Sequence, residues 1–169
     1  MTNKDISLRI RPAVPEDLPE IMRIIARARE FMASSGNPYQ WINGYPQQEL
    51  MKTEIEAGHC FVCVTPDGHP VASFCFIEGE DPNYARIERG HWLNDQPYSV
   101  LHRLASDGSF SGIFQLCLDW CSSRSHNIRV DTHHDNVILQ RLLVKHDFIY
   151  CGIIYVANGT PRLAFQRCL

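Results

Sequence analysis

Residues 100–148, VLHRLASDGSFSGIFQLCLDWCSSRSHNIRVDTHHDNVILQRLLVKHDF, restrict the fold more than any other part of the chain. A short apolar strand over 100–105 runs into a loop of small residues. The loop opens directly into an apolar helix over 112–122, and a second strand follows at 128–131. Strands joined through a helix are parallel neighbours with a right-handed crossover. The second strand ends in Asp131-Thr132-His133-His134-Asp135-Asn136, where Asp135 is placed to cap a helix over 136–146. Strand, small-residue loop and helix N-terminus together make a place for an anionic phosphate. Loop amides point at the ligand and the helix dipole favours negative charge. Gly108 and Gly112 are the loop's glycines. On two glycines alone, an ordinary strand-to-helix turn is an equal reading.

The remaining segments supply a mixed sheet. Residues 8–11 read as a strand, and Pro15, Glu16 and Asp17 open an amphipathic helix whose stripe is Leu18, Ile21, Met22, Ile25, Ala28 and Met32. Gly36 and Pro38 end it. Pro46 introduces a second helix over 47–57. Pro66-Asp67-Gly68 joins strands 60–65 and 71–77 as a hairpin, and 78–97 is polar and irregular. Residues 148–155 and 161–166 close the chain as two strands around Asn158-Gly159. The expected architecture is an α/β single domain over residues 1–169, with a mixed, mostly antiparallel central sheet flanked by helices.

The chain has 169 residues, enough for one domain with a substantial core. A net charge of −3 argues against a nucleic-acid partner, which calls for a basic face. It does not disfavour a phosphate ligand, because a local nest of amides binds anions without net positive charge. The seven cysteines are odd in number and lie mostly in apolar runs, as buried reduced thiols do. The polar start MTNKDISLRI is no secretion signal, and no run reaches a membrane span. A cytoplasmic protein without membrane or nucleic-acid partners is expected.

These residues resemble the GNAT N-acetyltransferase superfamily over nearly the whole chain. The resemblance rests on the early helix pair before a hairpin, and on the strand leading to a loop of the form Gln/Arg-x-x-Gly-x-Gly/Ala with Gly112 at the first glycine. Asn136 opens the later helix where the family has a pantetheine-contacting asparagine, and Phe148 matches its Gly-Phe. QWINGYP, DTHHDN and IIYVANGTPRLAF look like one bacterial subfamily of acetyltransferases. There are three departures: Ser109 for Gln/Arg, Phe114 for the second Gly/Ala, and Leu143 where many members carry a thiolate-protonating tyrosine. Phe114 puts a bulky side chain where backbone normally approaches phosphate closely.

The resemblance implies acetyl-CoA as donor and a small-molecule amine as acceptor, with direct attack in a ternary complex. It leaves room for a homodimer. The residues it places at the cofactor are Leu104, Ala105, Ser106, Phe110, Ser111, Gly112, Ile113, Phe114 and Asn136. His102, on the strand flanking the cofactor, has the intrinsic pKa range of a general base, although a satisfied core histidine is the plainer reading. Glu78 and Glu80 are the other base candidates, or solvated charges. Tyr150 is a substitute acid, or simply packing. Tyr39, Trp41 and Tyr45 lie on the loop where the family builds acceptor sites, and read equally as cover for the core edge. Neither His133/His134 with their aspartates nor Cys117, Cys121 and His126 has a recognised zinc spacing, so no metal is expected. Two alternatives stand beside the small-amine enzyme. One is a non-catalytic acyl-CoA sensor or scaffold, favoured by Phe114 and Leu143. The other is a protein or peptide N-acetyltransferase.

Overall fold

The computed structural model describes residues 7–169. Its seven strands are β1 (Arg9–Pro12), β2 (Cys60–Val64), β3 (Pro70–Glu78), β4 (Ser99–Ser106), β5 (Asn127–Thr132), β6 (Ile149–Tyr155) and β7 (Pro161–Cys168). They form one sheet in the order β1-β2-β3-β4-β5-β7-β6. Only β4 and β5 run parallel; every other pairing is antiparallel. The expected mixed, mostly antiparallel sheet is therefore present. The helices are α1 (Leu18–Ser34), α2 (Gln48–Glu56), α3 (Ile113–Ser122) and α4 (Val137–Lys145).

Each sheet face buries a separate apolar layer. Ile21, Ile24, Ile25 and Ala28 of α1 join Met51 and Ile55 of α2 against Val62, Val64 and Cys75. The expected stripe of α1 is thus its buried face, with Ile24 added to it. On the other side Ile113, Phe114, Cys117, Leu118 and Cys121 of α3 meet Phe74, Leu101, Ile128 and Val130. All seven cysteines are free thiols and six are buried, as the apolar runs around them suggested. Among the described residues no helix is long and apolar enough to cross a membrane.

Two local irregularities position the site. First, β4 and β5 pair only through Ser99–Ile128 and Val100–Arg129, although β4 continues to Ser106 and β5 to Thr132. Beyond that point their backbones no longer share hydrogen bonds, and the sheet opens into a wedge. Second, β4 carries an extra residue. Ser73 faces Ala105 while Cys75 faces His102, so two steps on β3 span three on β4. Arg103 takes up the bulge in a left-handed conformation, φ 53°. The bulge reverses the alternation of side chains. Leu101 packs on the α3 face and Ala105 on the α1 face, which regular period-two geometry would not allow.

One cap differs from expectation. Asn136, not Asp135, is the N-cap of α4, and its Oδ1 accepts the Leu139 amide at 3.1 Å. Asp135 instead donates its amide to His133 Nδ1 at 3.0 Å inside the preceding turn.

Candidate active site

The wedge between β4 and β5 leads into an open cavity of about 690 Å³. Its walls come from the α1–α2 loop, the segment after β3, β4, the start of α4 and the β6–β7 hairpin. That volume is in the range of sites that enclose small ligands.

His102 lines the cavity, and its Nε2 lies 3.0 Å from Asp81 Oδ2. Burial alone would raise the Asp81 pKa. Hydrogen bonds from His102 and the Asn83 amide, with the nearby charges of His102 and Arg103, bring it below its ordinary value. The carboxylate is therefore an acceptor, and Nε2 is the donor. In neutral His102 the lone pair then belongs to Nδ1, for which no partner occurs among the described residues. A ring held in one tautomer by a carboxylate, with its other nitrogen free, is the arrangement of a general base. Glu78 and Glu80 also line the cavity. Behind His102, Tyr84 is buried and donates to Asp131 Oδ2 at 2.6 Å. Burial first, and then the Asp131 charge, hold its pKa well above 10, so it stays a phenol.

The phosphate-loop residues divide into two groups. Leu104 and Phe114 reach the cavity wall. Ala105 and Ile113 turn their side chains into opposite cores, and Phe110 packs at the edge of the α3 core. Ser106 Oγ accepts the Gly108 amide at 3.1 Å. Gly112 is the α3 N-cap in the left-handed region, φ 75°, and Ser111 beside it is exposed. Most of the loop's side chains are thus turned away or engaged, and its main chain is the group it offers in a row. Among the described residues the amides of Phe110, Ser111, Gly112, Ile113, Phe114 and Gln115 have no acceptor. A helix start always leaves a few such donors; here the row extends two residues into the loop. Phe114 does not crowd it. Its ring is buried in the α3 core, 5.2 Å from the His146 ring, which leaves the backbone open to close approach. These loop residues suit an anionic phosphate.

The aromatic loop is split. Trp41 is buried in the α1 core and borders the cavity, and Tyr45 lines the cavity with its OH accepting from Arg103 Nε at 2.8 Å. Tyr39 is 64% exposed and lies off the cavity wall. Tyr150 sits on the outer strand β6, half exposed, 5.7 Å from the Phe165 ring and away from the cavity. Leu143 is fully buried in the α3 core. His133, His134 and Asp135 bring ligand atoms within 4.8 Å of one another, but His133 Nδ1 already accepts the Asp135 amide.

Four residues of the wall escape sequence reasoning: Asp81, described above, Gln40, Arg103 and Arg162. Gln40 Oε1 accepts from Asn37 Nδ2 at 2.9 Å, Asn136 Nδ2 at 3.0 Å and Thr132 Oγ1 at 3.3 Å. It ties the aromatic loop to the start of α4. Arg103 bonds Tyr45 and approaches Glu54 at 3.4 Å. Arg162, at the start of β7, is 6% exposed. Only Arg103 left a trace in the sequence, since a charged residue beside His102 breaks the strand's alternation. Gln40 and Arg162 are ordinary polar residues in their segments and carry no such signal.

Solved structures share this architecture. The chain is 31% identical to a GNAT-family acetyltransferase of Streptococcus agalactiae, with a TM-score of 0.86 over 96% of this chain and 95% of that one. A GNAT-family acetyltransferase of Listeria monocytogenes is 19% identical, with a TM-score of 0.73 over 100% and 99% of the two chains. One of Bacillus cereus is 18% identical, with a TM-score of 0.62 over 96% and 99%. The last two likenesses concern the fold alone. No protein-family model and no curated protein matches the chain.

Proposed function

We propose that this chain, which belongs to the GNAT family of acetyltransferases, transfers an acetyl group from acetyl-CoA to the primary amine of a small molecule. The observation that carries this reading is the wedge between β4 and β5. It opens into a cavity that holds the His102–Asp81 pair and reaches Phe114, in a row of loop amides that have no acceptor among the described residues. Main-chain amides at 110–115 would hold the pyrophosphate, and Asn136 and Leu139 would flank the pantetheine arm. Bound acetyl-CoA would supply an activated thioester.

The chain's own groups supply position and proton handling. Holding both reactants in one cavity accounts for much of the acceleration. His102 Nδ1 takes the proton that the ammonium must lose, and Asp81 stabilises the imidazolium that results. Such a base contributes roughly 10²–10⁴-fold. Leu143 cannot protonate the thiolate, so that proton comes from water or from His102 itself. A coenzyme A thiolate leaves tolerably without a dedicated acid.

The test is incubation of the full chain with acetyl-CoA and a panel of amines, amino acids and short peptides. Thiol release and the mass of the acetylated product are both followed. Product from a small amine is expected. Acetyl-CoA binding with no turnover on any member would favour a non-catalytic acyl-CoA sensor. Product from peptides alone would move the acceptor to a protein terminus or lysine.

A further inference from the structure

Arg162 is a buried cation on the cavity wall with no ion pair among the described residues. The residue is 6% exposed, and among the described residues its hydrogen bonds run to main-chain carbonyls only: Nη1 to Pro161 O at 3.0 Å and Nη2 to Gln40 O at 3.2 Å. Among the described residues no carboxylate pairs with it. Asp131 is near enough for its charge to act on the guanidinium, but it accepts from Tyr84 and makes no ion pair with Arg162. Arg103, on the same wall, differs: it has Glu54 at 3.4 Å and the Tyr45 hydroxyl at 2.8 Å.

A buried charge is costly unless it is paired. A guanidinium offers five donors in a planar fork suited to a carboxylate, and carbonyl contacts leave part of that fork open. Asp131 lies beside Arg162, and the cavity also holds Glu78, Glu80 and Asp81, the last bonded to His102. One wall thus presents a positive and a negative pole to one ligand.

We propose that the acceptor is a zwitterion, an amino acid or close analogue, whose carboxylate pairs with Arg162 while its amine faces His102 and Asp81. This rests on the acetyl-transfer reading above. Trp41 and Tyr45, on the loop held by Gln40, border the same space and give the side chain an aromatic surface.

The experiment measures binding by calorimetry and turnover by thiol release for matched triplets: each common amino acid, its amide and its decarboxylated amine. The full chain is used, with and without coenzyme A. At least one amino acid should bind and react, and loss of its carboxylate should weaken both roughly 10- to 100-fold, the usual effect of a charge-assisted fork. Arg162→Gln should erase that discrimination and leave the Michaelis constant for acetyl-CoA unchanged. Arg162→Lys, which keeps the charge and loses the fork, should be intermediate. Equal use of acid, amide and amine would overturn the zwitterion while leaving acetyl transfer intact. Discrimination that survives Arg162→Gln would also overturn it, as would a raised Michaelis constant for acetyl-CoA, which would move Arg162 to the donor's phosphates. The binding arm on the unaltered chain needs neither turnover nor a folded variant, and failure of every amino acid to bind there ends the proposal.

Discussion

The two ends of the cavity are built differently. At the α3 end, where Phe114 reaches the wall, the groups proposed to meet a ligand are main-chain amides of residues 110–115, and the side chains beside them turn into the cores or, as at Ser111, outward. At the other end the groups are side chains: His102, Asp81, Arg103, Asp131 and Arg162, drawn from β4, β5, β7 and the segment after β3. An amide row needs only a backbone path, so it tolerates Ser109 and Phe114 where the family has other residues. A side-chain wall depends on each residue, so it is where specificity is set. Substitutions should therefore separate the two ends. Changes in the loop should act on donor affinity and stability, and changes in the wall on acceptor use and turnover.

His102→Gln gives the largest expected effect. Glutamine can still bond Asp81 but cannot take a proton, so kcat should fall roughly 10²–10⁴-fold with acetyl-CoA affinity unchanged. Steady-state rates combined with calorimetry decide this. An unaltered kcat would transfer the base role to Glu78 or Glu80, which share the cavity.

Phe114→Gly comes next, and its effect is on stability. Removing a buried ring from the α3 core costs about 3–5 kcal/mol, and glycine in the helix adds up to about 1 kcal/mol. Denaturant unfolding should show that loss, and acetyl-CoA affinity should not improve. Tighter binding would mean that the ring obstructs the phosphate loop after all.

Gly112→Ala addresses the loop backbone. The left-handed conformation costs a non-glycine residue about 1–2 kcal/mol, yet a Cβ at this position meets nothing within 4 Å. If a phosphate approaches here, acetyl-CoA affinity should drop beyond what the stability loss explains. Equal affinity in the folded variant would place the donor elsewhere.

Asn136→Ala has the smallest effect. As the α4 cap and a donor to Gln40, Asn136 should cost about 1 kcal/mol of stability when truncated. Acetyl-CoA affinity should fall by a similar amount, the worth of one hydrogen bond. Asp135→Ala serves as the comparison. It should leave the helix intact, because its carboxylate does not cap α4.

The same contrast explains what the sequence made legible. The β4–α3 turn shows itself locally, as apolar strand, glycines and apolar helix within one window. The parallel β4–β5 pair follows from the crossover rule. His102 and Trp41 were readable as unusual residues in their segments. The cap of α4 is Asn136 rather than the expected Asp135, because the two residue types have nearly equal capping propensity and only backbone geometry separates them. Tyr150 is on an edge strand rather than at the cavity, since period two alone does not say which strand borders the wedge. Asp81, Gln40 and Arg162 come from three segments far apart in the chain. Gln40 and Arg162 meet across 122 positions through the strand order β4-β5-β7, which no local pattern encodes.

The most direct test of the account is amide chemical-shift mapping of the chain titrated with acetyl-CoA. The account predicts saturable binding in which the amides of Phe110 to Gln115 shift most, with smaller changes at Asn136 and Leu139. No saturable shift, or a response confined to the β6–β7 hairpin and the aromatic loop, would contradict it.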